Sequence, residues 1–224
     1  MKLEANDVTY NKIKKIASSN KEVYVYLEKG KRIYRSQDKE NSNAIYFDPL
    51  HKGRYADSLK EYPVFYGALT PATSIAEHLQ IPDMVVGEKD DPFFFKKSII
   101  ERKALFELEA NRNLCLIDVS ALVNLLGGSL SEIVQKRGDE SEGYIFTQSL
   151  CSAVIRAGLE IDGMVYPSRV DPRALGDDGV CIVLFHENNG KMVQKVQGIP
   201  FMEYLLPDGR TVIRLLEDRH AFVL

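Results

Sequence analysis

The chain has 224 residues, 45% hydrophobic and 27% charged, enough to bury a substantial core as one domain. A formal net charge of −3 and a pI near 5.9 argue against a general nucleic-acid or anionic-membrane surface, because such partners call for clustered positive charge. No apolar run approaches the roughly 20 residues of a membrane span, and the lysine-bearing start (Lys12, Lys14, Lys15, Lys21) lacks the apolar stretch of a secretory signal. A cytoplasmic protein is expected. A non-classical export route, which leaves no such trace, stays open as the alternative.

In chain order, "EVYVYLEKGKRIYRS" predicts two short strands around the turn Lys29-Gly30-Lys31, and "NAIYF" (Asn43 to Phe47) a third. "PVFYGAL" is strand-like and runs straight into "TPATSIAEHL", where Thr70 can cap a helix that Pro71 opens. Ala72, Ile75, Ala76 and Leu79 form one apolar stripe on that helix, and Glu77 lies off it. A helix from about Lys97 is expected before the strand "LCLIDV". Ser120 is expected to cap a short helix that ends at Gly127-Gly128. "GYIFTQSLCSAVIRAG" reads as a helix closing on Gly158, "DGMVYPSR" and "GVCIVLF" as buried strands, and "LLPDGRTVIRLL" as a hairpin. Strands outnumber helices without alternating with them, which gives the α+β class around a mixed sheet.

Cys115, Cys151 and Cys181 sit far apart in apolar runs and are expected as buried free thiols. His51, His78, His186 and His220 show no ligand spacing, and no metal site is expected. Phosphate-cradling glycine motifs and a nucleophile elbow around Ser168 are missing. Singly, a loop arginine, a glutamate on the polar side of a helix and a serine in a turn carry little weight, since each is commonly just solvated.

The ordered set "IYRS", "IYFDPLHKGRY", "VFYGALTPATSIAEHL", "GYIFTQSL" and "DGMVYPSRVDP…GVCIVLF" resembles the RES-domain family, named for an arginine, a glutamate and a serine. The resemblance implies residues 1–31 as an N-terminal extension, 32–185 as the RES domain and 186–224 as C-terminal strands completing the same domain. It implies a single ADP-ribosyltransferase-like domain with a mixed, largely antiparallel β core and surrounding helices. It further implies a bacterial toxin that consumes NAD+ as substrate, with no resident cofactor, restrained by an Xre-type helix-turn-helix antitoxin and expected as a homodimer. Neither nucleic acid nor membrane is an expected direct partner. By this carry-over Arg54 in "GRY", Tyr66, Glu77 and Ser168 are the catalytic set, with Arg35, Arg54, Tyr66 and Ser168 binding the substrate. Ala56 departs from the pattern, standing where many members have Asn.

These residue types suit that chemistry on their own terms. Nicotinamide is a ready leaving group, so breaking its bond to ribose needs chiefly stabilisation of oxocarbenium-like charge on the sugar, as in glycoside hydrolysis. Glu77 can supply a negative field there, Arg54 and Arg35 can fork onto pyrophosphate, Tyr66 offers a ring or a hydroxyl, and Ser168 a short donor and acceptor. Tyr144 and Gln148, one helical turn apart, are candidates for the same pocket or for plain packing. The expected reaction is NAD+ glycohydrolysis or phosphorolysis. The alternatives are transfer of ADP-ribose to a protein and a catalytically silent nucleotide-binding or interaction module.

Overall fold

The structure is a computed structural model and describes residues 3–41, 43–48, 53–80, 93–134, 144–170, 176–185, 192–219 and 221–224. His51, His186 and His220 lie outside the described residues. A first helix, α1 (Asp7–Ser19), is capped by the side chain of Asn6 and buries Ile13 and Ala17 against the later helices α4 (Val119–Leu126) and α6 (Ile145–Arg156). It escapes a sequence reading because its apolar face is narrow and its other faces are polar.

The strands are β1 (Tyr24–Leu27), β2 (Arg32–Asp38), β3 (Val64–Ala68), β4 (Phe93–Phe95), β5 (Lys103–Ala110), β6 (Leu114–Asp118), β7 (Gly163–Pro167), β8 (Val180–Phe185), β9 (Val193–Pro200) and β10 (Ala221–Val223). Eight of them form one sheet in the order β1-β6-β7-β8-β3-β2-β5-β9, and β4 pairs with β10 separately. Within the large sheet β6 and β7 are parallel and the other neighbouring pairs are antiparallel. The architecture is α+β with a mixed, largely antiparallel sheet, as expected.

The strands β1 and β2 flank the turn at Gly30, whose φ is +87°, yet they stand first and sixth in the sheet. The sheet therefore curls so that its two halves meet. Leu27, Ile33, Phe106, Leu108, Leu116 and Ile182 fill the space inside the curl. Outside one half, Ile13, Leu122, Leu150, Val154 and Met164 form a second core under α1, α4 and α6. Outside the other half, Ile75, Leu105, Phe201 and Leu215 form a third, under α2 (Pro71–Leu79) and α7 (Val212–Glu217). Burial on both faces explains why β7 and β8 read as continuous apolar runs.

Several local expectations change. "NAIYF" is not a strand: the Asn43 side chain accepts the Ile45 N–H at 3.1 Å, an Asx turn that competes with extended pairing, and pairing in this segment, among the described residues, is the isolated bridge from Asp48 to Val64. The helix begun at Lys97 stops as α3 (Lys97–Glu101), and "KALFELEA" becomes β5, paired on both sides. Asp118, not Ser120, caps α4, accepting the Ser120 and Ala121 N–H groups at 2.7 and 3.2 Å. The turn at Gly209 forms, with φ +82°, but Thr211 caps α7 so that the second arm of the expected hairpin is helical. Cys151 and Cys181 are buried free thiols, whereas Cys115 is half-buried. Among the described residues no helix is long and apolar enough to cross a membrane.

Candidate functional site

The site is built on the β3–α2 unit. Tyr66 lies on β3, opposite Val183 of β8. Thr70 accepts the Thr73 N–H at 3.3 Å and Pro71 opens α2, the arrangement that the local sequence predicts. The buried face of α2 is wider than its apolar stripe and includes Thr73 and Ser74. Both are satisfied, Thr73 by the Gly179 N–H at 3.0 Å and Ser74 by Ser36 at 2.9 Å, so the hydrogen bonds offset the desolvation cost of burying them. That packing fixes the helix with Glu77 facing outward, half-buried.

Arg35, Arg54, Tyr66 and Glu77 line one open cleft of about 940 Å3, and Tyr144 and Gln148 line it as well. Arg54 comes from the loop before β3. Its Nη1 and Nη2 donate to the carbonyls of Ile133 at 2.7 Å and Pro167 at 3.4 Å. Its guanidinium packs against the rings of Tyr55 and Tyr166, 5.4 and 5.2 Å from their centroids. Burial works to lower the Arg54 pKa, and the fields of Tyr55, Tyr166 and Glu77 carry it net upward, so the guanidinium stays charged. Arg35, on β2, donates Nη1 to the Tyr46 carbonyl at 3.0 Å and lies over Phe65 at 4.9 Å. Burial lowers its pKa, with Asp48 opposing.

Tyr66 accepts the Tyr55 N–H at 2.9 Å through its hydroxyl, and burial pushes its pKa well above the ordinary phenol value. It is a neutral phenol that also holds the Arg54 loop. Gln148 holds the same loop by donating to the Gly53 carbonyl at 3.1 Å, and Cys151 does so through the Tyr55 carbonyl. A fourth fastening is Asp57, whose carboxylate accepts from Ser152 at 2.6 Å and from Arg156 at 2.8 and 3.1 Å. Although burial opposes ionisation, the bonds from Arg156 and Ser152 prevail and bring the Asp57 pKa to about 2.

Ser168 is fully buried and stands behind Glu77 rather than in the cleft wall. Its hydroxyl donates to Glu77 Oε1 at 2.6 Å, and the Arg169 N–H donates to the same oxygen at 3.0 Å. The carboxylate is thereby held through Oε1. A short, charge-assisted pair of this kind fixes the rotamer of the acid. The cleft also contains residues that local patterns did not single out. Tyr166 packs at a tilt against Tyr55, ring centroids 4.2 Å apart, and flanks Arg54. His78 is held neutral by burial beside Lys103 and Arg35, with a pKa of about 4. Arg169 and Gln80 form the rim next to Glu77. Only the run "YPSRV" hinted at any of these, by placing Tyr166 and Arg169 around the serine. Among the described residues no cluster of His, Cys, Asp and Glu side chains is placed to hold a metal ion.

The chain superposes with a TM-score of 0.53 and 16% identity on a chain of the crystal structure of the M. tuberculosis MbcT–MbcA toxin–antitoxin complex, covering 96% of this chain and 98% of that one. This likeness concerns the fold. No curated protein matches the sequence. The family model described as the RES domain matches residues 32–205, a span holding Arg35, Arg54, Tyr66, Glu77 and Ser168, and the chain belongs to the RES domain family.

Proposed function

We propose that this protein cleaves the nicotinamide–ribose bond of NAD+ and acts as the toxin of a toxin–antitoxin pair. The observation that carries the reading is Glu77, a carboxylate held through Oε1 by Ser168 and the Arg169 N–H at the wall of a cleft that also contains Arg54 and Tyr66. With the ribose against Glu77, the bond from C1′ to the pyridinium nitrogen breaks and its electron pair leaves with neutral nicotinamide. The positive charge left on the sugar faces the preorganised carboxylate, which stabilises it without reorganising. Water or phosphate then adds to C1′ and loses a proton. A protein side chain in that place would make the enzyme an ADP-ribosyltransferase.

Because the Tyr66 hydroxyl is engaged by the Tyr55 N–H, its ring is the surface offered to nicotinamide. Ser168, enclosed behind Glu77, acts by orienting the acid. Family membership and the fold likeness to a chain of a toxin–antitoxin complex support the toxin role and an antitoxin partner, for which the Xre helix-turn-helix type is our proposal. Co-expression with the product of a neighbouring helix-turn-helix gene should then protect cellular NAD+. A homodimer is proposed on family membership alone, and light scattering tests it.

The deciding experiment is Glu77→Gln. Glutamine keeps an acceptor for Ser168 and Arg169 but removes the charge, at a stability cost of about 1 kcal/mol. Nicotinamide release should fall by roughly 100-fold or more in kcat, with much less change in KM. A folded Glu77→Gln protein with parental turnover defeats the proposal. Labelled ADP-ribose recovered on protein, instead of as a small molecule, identifies the transferase reaction.

A further inference from the structure

Three guanidiniums border the cleft, and their partners set them apart. Arg54 spends Nη1 and Nη2 on the carbonyls of Ile133 and Pro167, and Arg35 spends Nη1 on Tyr46 while its plane rests on Phe65. Both are fixed into the scaffold. Arg169 is different: its main-chain N–H is fastened to Glu77 Oε1 at 3.0 Å, while its half-exposed side chain gives Nη2 to a neutral acceptor, the side-chain oxygen of Gln80. Among the described residues no carboxylate pairs with it. Gln80 is itself held by donating to the Glu77 carbonyl and closes α2 in a left-handed conformation at φ +55°. Helix end, amide and guanidinium thus make one rim beside the acid.

Charge balance favours an anion there. Arg35, Arg54, Lys60 and Arg169 line the cleft together with Glu77 and Asp57, and Asp57 is already neutralised by Arg156 at 2.8 Å.

We propose that Arg169 is a substrate-binding residue, exchanging the Gln80 amide for the pyrophosphate of the dinucleotide whose ribose lies on Glu77. This rests on the NAD+ reading and deepens it. A guanidinium–phosphate contact is charged on both sides and can be bidentate, so it outcompetes a single bond to a neutral amide. The placement also fits the ligand: phosphate follows ribose through one methylene, and Arg169, its main chain fastened to the Glu77 carboxylate, extends its guanidinium along the same cleft to the end of α2. Arg54 then serves chiefly to build the wall, since one N–H of each terminal nitrogen is given to a carbonyl and its plane is packed between Tyr55 and Tyr166, and the exchange at Arg169 supplies a forked contact to the phosphates.

The test compares Arg169→Gln and Arg169→Lys with the parent, using calorimetric binding of ADP-ribose together with NAD+ kinetics. Arg169→Gln should weaken ADP-ribose binding and raise KM by about 10-fold or more, with kcat moving far less, and Lys should restore part of the loss as a point charge. Parental affinity in Arg169→Gln overturns the proposal, as does a loss confined to kcat, which would make Arg169 a support of Glu77. Thermal melts close to the parent's are expected, and a Lys variant as weak as Gln with a lowered melt counts against the proposal. If the parent binds ADP-ribose but releases no nicotinamide, the cleavage reading fails while the affinity comparison still decides the role of Arg169. If the parent binds no ADP-ribose, both fall.

Discussion

Ser168→Ala separates a serine that touches substrate from one that works through Glu77. The hydroxyl is fully buried, donates to Glu77 Oε1 at 2.6 Å and accepts the Val170 N–H at 3.2 Å. A hydrogen bond to a charged group is worth about 1.5–3 kcal/mol net. Since Oε1 keeps the Arg169 N–H at 3.0 Å, the loss should lie near the lower end, about 1.5–2 kcal/mol, lowering the melt by roughly 3–8 °C in a chain of this size. With one of its two anchors gone, the carboxylate explores other rotamers, and kcat should fall by about 10-fold, less than the loss from removing the charge itself. The assay is nicotinamide release in a double-mutant cycle with Glu77→Gln. If Ser168 acts through the carboxylate, adding Ser168→Ala to Glu77→Gln should cost little further kcat, whereas independent roles would multiply. Multiplicative losses refute the positioning role, and parental kcat with a lowered melt reduces Ser168 to a structural bond.

The Asp57 fastening predicts an acid limb: a pKa of about 2 in the fold against 3.8 ordinarily means the stabilisation is complete above about pH 4 and is lost as pH falls toward 2, worth about 2 kcal/mol. Urea midpoints of Asp57→Asn and parent should therefore converge across that window, and a constant gap would refute the linkage. Gly163→Ala should fail to reach the native state or lose about 3 kcal/mol or more, because the new Cβ meets the Val183 carbonyl oxygen at 2.1 Å and Leu184 Cα at 2.9 Å, both main-chain atoms of the adjacent strand. A melt within 2 °C of the parent's, on the scale of roughly 2–4 °C per kcal/mol, contradicts that packing. Tyr66→Phe removes the acceptor of the Tyr55 N–H and should cost about 1 kcal/mol, with faster hydrogen exchange at that amide. Unchanged exchange there would mean the hydroxyl does not hold the Arg54 loop.

What could be read in the sequence was what is decided locally. Thr70-Pro71 announces α2 because a cap and a pre-set φ act within one turn, and the apolar stripe then leaves Glu77 on the outer side. Strand β5 was hidden because "KALFELEA" is built of good helix formers. Its alternation of Phe106, Leu108 and Ala110 with Glu107 and Glu109 wins only through pairing with β2 and β9, where tertiary contacts override propensity. The division of labour inside the site was equally hidden, for the same reason. Arg54 finds its carbonyls 79 and 113 residues away, Asp57 its arginine 99 residues away, and Ser168 its carboxylate 91 residues away. An arginine, a glutamate and a serine are the types that the chemistry of a dinucleotide selects, but which of them meets the ligand depends on which is already committed to the scaffold. Commitment is set by long-range hydrogen bonds, so a motif names the cast without assigning the parts. On the proposed reading Arg54 and Ser168 belong largely to the framework that aims Glu77, and Arg169, whose side chain bonds a neutral amide, is a cleft cation placed to change partners.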